Sequence, residues 1–184
     1  MTVVKIQPTA ASSAAAAPRP LAQLPAKGAL YTPAERRRRD ASKWTRVQGI
    51  LAPIQFLVMA ISVALVWRYL GTGDGLAAAN VSVIVKTLVL YTIMVTGAIW
   101  EKEVFGQYLF APAFFWEDFV SFFVIALHTI YLGGLVAHWP PRTLMFLALT
   151  AYATYAVNAV QFILKLRAAR LAERPSTAPM EVAA

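Results

Sequence analysis

The 184-residue chain contains no cysteine. Disulfides, thiolate metal sites, cysteine-held iron–sulfur clusters and a cysteine nucleophile are therefore excluded. Histidine is nearly absent too. His128 and His138 stand ten residues apart, roughly 15 Å along one helix, and cannot clamp a metal ion or haem between them. Charged side chains make up only 14% of the chain against 59% hydrophobic residues, which lies outside the range of a soluble globular domain. Negative charge is the scarcer sign, with nine Asp and Glu against 17 Lys and Arg and a net charge of +8. Nine of those 17 cations precede residue 47, so the positive charge reads as membrane orientation and lipid attraction, not as nucleic-acid binding. The N-terminus has no continuous apolar core, so a cleavable secretory signal is not expected. No internal repeat is visible.

What is present is a succession of apolar runs. Residues 1–29, centred on ASSAAAAPRP, are rich in Ala and Pro and lack apolar periodicity, which predicts a disordered tail. Thr32-Pro33-Ala34-Glu35 is a capping box with Pro at the first helical position, followed by Arg36 to Arg39. A basic amphipathic helix on a membrane surface is predicted over 30–46, attracted to anionic headgroups. Four spans follow at about 47–67, 77–100, 117–137 and 144–164, with a C-terminal tail at 169–184. Trp44, Trp67, Trp100 and Trp139 mark interfaces, and Gly71 to Gly75 and Pro140-Pro141 supply breaks. The predicted fold is all-α: a four-transmembrane-helix bundle within 47–168. Both chain ends are basic, which implies that both termini are cytoplasmic. Lys86, about 15 residues before Glu101, is expected near the opposite interface with its ammonium snorkelling outward.

The acids break this pattern. In EKEVFGQYLFAPAFFWEDFV, running from Glu101 to Val120, Glu101, Glu103, Glu117 and Asp118 face Lys102 alone. Glu117 and Asp118 at a helix N-terminus can be explained by the dipole and the unpaired N–H groups there. Glu101 and Glu103 leave a helix at its C-terminus, where the dipole disfavours them, so they ask for a partner or a ligand. Nine aromatics lie between Phe105 and Phe123, Trp116 among them. They suit interface packing, and combined with clustered acids they also suit an apolar pocket for a large flat ligand. Glu117, Ser121, Val124 and His128 share one helical stripe, which puts His128 near mid-membrane. Tyr152, Tyr155 and Asn158 of the fourth span, and Gln55 of the first, offer polar partners at comparable depth. His128 is then either a functional group or a neutral side chain hydrogen-bonded inside the bundle.

Two stretches carry a family resemblance. LYTPAERRRRDASKWTRVQGILAPIQF and GAIWEKEVFGQYLFAPAFFWEDFVSFFVIALHTIYL resemble the small membrane-bound 3-vinyl bacteriochlorophyllide hydratases of bacteriochlorophyll synthesis, over about residues 30–168. The resemblance implies addition of water to a vinyl group on a chlorin or bacteriochlorin, with no redox cofactor, in a bacterial inner membrane. Contacts with lipid and with other enzymes of the same synthesis follow from it. Protonation of the vinyl by a carboxylic acid and attack of water on the resulting cation require two carboxyl groups of separated acidity. Glu101 and Glu117 are the first choice, with Glu103 and Asp118 as substitutes. His128 is a candidate axial ligand to the chlorin magnesium, and Trp116, Tyr155, Asn158 and Gln55 are candidate substrate contacts. Arg36 to Arg39, Lys43, Arg46 or Lys102 could receive the pigment's propionate. The alternative is a non-catalytic pigment-binding or assembly protein.

Overall fold

The structure, a computed structural model, describes residues 30–172. The predicted tail at 1–29 and the last twelve residues lie outside the described part. The described chain is all-helical: α1 (Pro33–Ala41), α2 (Lys43–Thr72), α3 (Leu76–Phe105), α4 (Phe115–Val136) and α5 (Pro141–Ala172). The capping box at Thr32 forms as written in the sequence. Thr32 Oγ1 accepts from the Glu35 N–H at 3.2 Å, and the Glu35 carboxylate accepts from the Thr32 N–H at 2.8 Å. Ser42 ends α1 with extended backbone, and its hydroxyl caps α2 by accepting from the Trp44 N–H. This single residue makes α1 shorter than the 30–46 segment read from sequence and starts the first long helix at Lys43.

α2, α3, α4 and α5 are each long and apolar enough to cross a membrane. Gly73 and Gly75, both in the left-handed region at φ 80° and 86°, return α2 into α3 across a very short turn. α2 packs along α3, and α4 along α5, forming two antiparallel hairpins that touch each other less extensively through α2–α5 and α3–α4.

At the end bearing the two hairpin turns, the hairpins close on each other. Val66, Ala79, Val83, Tyr131, Met145 and Tyr152 form one buried cluster drawn from all four long helices. Its polar atoms are paired within it. Ser62 Oγ meets Tyr152 Oη at 2.6 Å and Ser82 Oγ at 2.7 Å, and the Tyr131 hydroxyl donates to Asn80 Oδ1 at 2.7 Å. Gly134 is part of the fit, because a Cβ there would lie 2.8 Å from the Trp139 ring.

Halfway along the bundle the expected position of Lys86 is overturned. Its side chain is fully buried, donates to Gln55 Oε1 and lies 3.7 Å from the centroid of the Tyr155 ring. Lys86 belongs to the inward stripe of α3 with Val83 and Leu90, spaced three and four residues, so it cannot reach a lipid-facing interface by snorkelling.

Candidate active site

At the other end, where α1, the 106–114 loop and the last turns of α5 meet, the hairpins stand apart around a cavity of about 660 Å³. That volume lies within the roughly 300–1,000 Å³ typical of small-molecule sites. Small residues make the room. Gly49 and Ala52 of α2 and Gly97 and Ala98 of α3 line one wall, and a Cβ added at Gly49 would meet no atom within 4 Å. Aromatic side chains make the rest of the lining apolar. Tyr31, Phe56, Trp100, Phe114, Tyr155 and Phe162 come from five different segments of the chain. Trp100, Phe105 and Phe114 pack edge-to-face with centroids 5.6–5.8 Å apart, and Phe162 stacks on Phe114 at 5.7 Å.

Two of the four acids face this space. Glu101, from the last turns of α3, and Asp118, from the first turn of α4, line the cavity and lie beside one another. Two carboxyl groups brought together in this way repel when both are ionised, and a proton on one lets it donate to the other. Each also accepts from the backbone of the loop between their helices: the Phe110 N–H to Asp118 Oδ2 at 2.7 Å, and the Ala111 N–H to Glu101 Oε2 at 3.2 Å. Both acids are buried, at 5% and 4% exposure. The short loop thus acts as a clamp, and Phe110 adopts φ 58° within it.

The other two acids are engaged elsewhere. Glu117 accepts from Lys165 Nζ at 2.5 Å, a partly buried ion pair between α4 and α5. Glu103 accepts from Ser42 Oγ at 2.7 Å and so fixes the α1–α2 junction to α3. Neither lines the cavity. Lys102 donates to the Gly106 carbonyl and lies over the Tyr108 ring. Lys165, a cation of the C-terminal end, is thus the partner of one of these acids.

The remaining candidates divide in the same way. Tyr155 and Asn158 are on the cavity wall. Asn158 Nδ2 donates to Ser121 Oγ at 2.7 Å, while its Oδ1 has no hydrogen-bond partner among the described residues. Gln55 and His128 are fully buried but lie off the wall. His128 Nδ1 is bonded to the Val124 carbonyl at 2.8 Å, and its ring packs 5.8 Å from Tyr152, toward the closed end. Trp116 points away, 66% exposed, in an outward ladder with Phe115, Phe119 and Phe123. Of the aromatics between Phe105 and Phe123, only Phe114 lines the cavity, and most of the others face outward. Of the proposed propionate cations, Arg39 borders the cavity, and Arg170 of α5 joins it unforeseen. The missed wall had one signal, the three-residue spacing of Gly49 with Ala52 on α2. Tyr31 and Trp100 gave none, since their place depends on how α1 lies against α3.

Fold and site together define a helical enzyme whose spans are of membrane length, with an apolar cavity that ends on a buried carboxyl pair. The sequence profile of the family described as 2-vinyl bacteriochlorophyllide hydratase matches residues 31–168. A protein of that name from Rhodobacter capsulatus is 64% identical over 149 residues, covering 81% of this chain and 87% of its own. Another from Cereibacter sphaeroides is 67% identical over 142 residues, covering 77% and 89%. No solved structure matches. The chain belongs to the 2-vinyl bacteriochlorophyllide hydratase family and is a hydratase of bacteriochlorophyll biosynthesis. The family name and the 3-vinyl name used above denote the same vinyl substituent.

Proposed function

We propose that the cavity receives the vinyl-bearing macrocycle edge-on between the two hairpins, and that Glu101 and Asp118 add water across the vinyl group to give a 1-hydroxyethyl substituent. The observation that carries this reading is the adjacent pair of buried carboxyl groups lining an aromatic-walled cavity. Glu101 serves as the acid. Its O–H breaks as a C–H bond forms at the terminal vinyl carbon, and the positive charge left on the inner carbon spreads into the ring. Asp118 serves as the base, since its 2.7 Å bond from a backbone N–H suits the member that carries charge. It takes a proton from water as the water oxygen bonds to the inner carbon. One proton has then left Glu101 and one has reached Asp118, and transfer between the two restores the starting state. No electrons are gained or lost.

Glu117, paired with Lys165, holds α4 to α5 behind the site in this reading. Arg39 and Arg170, on the rim, provide cations for the pigment's carboxylate. The bundle sits in the bacterial inner membrane with its open end, α1 and both termini on the cytoplasmic side, as the basic chain ends favour.

The test is turnover by membranes containing the chain. The vinyl pigment should gain the mass of one water and lose its vinyl absorbance. Glu101→Gln and Asp118→Asn should each lower the rate at least roughly 100-fold, the scale of general acid–base catalysis. Pigment bound and recovered unaltered by the parent protein would make the chain a pigment-binding protein instead.

A further inference from the structure

Hydration needs a site for water as well as a site for pigment, and nothing in an apolar cavity holds a water molecule in a defined place by default. A buried water is held by roughly three hydrogen bonds to otherwise unsatisfied polar groups. The cavity wall has one such group. Asn158 is 93% buried, yet its Oδ1 has no partner among the described residues, an arrangement that costs stability unless a ligand or water completes it.

Its surroundings are specific. Asn158 Nδ2 donates to Ser121 Oγ at 2.7 Å, which fixes the amide plane and leaves the Ser121 hydroxyl hydrogen free to donate in turn. Ser121 is itself buried at 4% exposure and stands three residues after Asp118 on α4. Residues at that spacing are neighbours on one helical face, with Cβ atoms roughly 5–6 Å apart. Asp118, Ser121 and Asn158 all line the same cavity.

We infer that Ser121 and Asn158 form the positioning site for the attacking water, beside Asp118. The inference rests on the hydratase reading of the cavity given above. The water donates one hydrogen to Asp118 and the other to Asn158 Oδ1, and it accepts from the Ser121 hydroxyl. Its remaining lone pair is then directed away from the wall, at the inner vinyl carbon. The C–O bond forms there as the water O–H bond directed at Asp118 breaks and its proton passes to Asp118. Ser121 and Asn158 exchange no proton with the reacting atoms; they are positioning residues.

This role has a signature that a structural role lacks. The proton added by Glu101 can be lost again from the new methyl group if no water attacks, which returns the vinyl pigment. In D2O that reversal leaves deuterium on the terminal vinyl carbon. The parent protein, Asn158→Leu and Ser121→Ala are therefore given the vinyl pigment in D2O, and two quantities are followed by mass spectrometry: hydrated product, and deuterium in the recovered vinyl pigment. In both variants hydration should fall by roughly 100-fold, the cost of a reactant displaced by about 1 Å, while vinyl exchange persists. The ratio of exchange to hydration should rise by at least about tenfold. Ser121→Thr, which keeps the hydroxyl, should return the ratio toward the parent's.

Exchange and hydration falling in equal proportion would overturn the inference, as would a normal rate of hydration in Ser121→Ala. Ser121→Ala removes one oxygen and carries the test if Asn158→Leu fails to fold. Failure of the assignment of Glu101 and Asp118 as the reacting acids looks different, since Glu101→Gln would then leave both exchange and hydration unchanged.

Discussion

The two ends of the bundle are made by the same four long helices and differ in how they use polar groups. At the end bearing the hairpin turns, the hydroxyls of Ser62, Tyr131 and Tyr152 each find a protein partner inside the buried cluster around Val66, Val83 and Met145. At the end bearing the 106–114 loop, Glu101 and Asp118 are directed at each other and into a cavity, and Asn158 keeps an unpartnered oxygen on its wall. Satisfied polar groups hold helices together; groups left for a ligand cost stability and are tolerated where chemistry needs them. Closed packing and open cavity are thus separated along the helix axis, with the layer of Lys86, Gln55 and Tyr155 between them.

The largest effect that would break this comparison is a loss of turnover confined to one pair of acids. Asp118→Asn should lose at least roughly 100-fold in rate while its neighbour Glu117→Gln keeps a rate near the parent's, measured as hydrated pigment per unit of folded protein. Equal losses in the two would show that the cavity does not sort the acids. Next is the closed end. Gly134→Val must displace Trp139 or Leu144, so the protein in detergent should lose about 1–3 kcal/mol of stability by thermal or denaturant unfolding, with the turnover of the folded fraction unchanged.

Gly49→Phe applies the opposite operation at the open end. The added ring has room to enter the cavity, so unfolding should change little while pigment affinity falls about tenfold, or 1.4 kcal/mol, by titration of pigment absorbance. The smallest effect is Tyr152→Phe. It removes one hydroxyl from the Ser62 pair, leaves Ser62 its bond to Ser82, and should cost about 0.5–1.5 kcal/mol of stability with no change in rate. A rate loss there would mean that the two ends are coupled through the middle layer.

How far these features could be read beforehand depended on whether they were local. The capping box at Thr32 and Glu35 forms as neighbouring residues spell it, and four helices long and apolar enough to cross a membrane lie over the apolar runs. The concentration of acids between Glu101 and Asp118 was legible as misplaced charge, and Glu101 does lie beside another acid of that stretch. Which acid it meets was not legible. Glu117 and Asp118 are adjacent in sequence, and one peptide step turns the side chain by about a quarter of a helical turn, from Lys165 on α5 to Glu101 on α3. The aromatic run misled for the same reason, because α4 carries most of it on the outward face while the cavity takes its rings from Tyr31 ahead of α1, from α2, α3 and α5, and from Phe114 of that run.

By itself, the sequence determined the class of fold, the membrane character, the family and the region holding the acids. Each follows from composition, from hydrophobic runs of sufficient length, or from long stretches of residues that resemble a family. Only the tertiary structure decided the roles within that region. It buried Lys86 where snorkelling was expected, tied Glu103 to Ser42 and Glu117 to Lys165, and left Glu101, Asp118, Ser121 and Asn158 on one cavity wall. The physical reason is that composition and periodicity specify which side of its own helix a residue occupies, whereas partnership depends on the rotation and depth at which two hairpins meet, and no run of neighbouring residues encodes either.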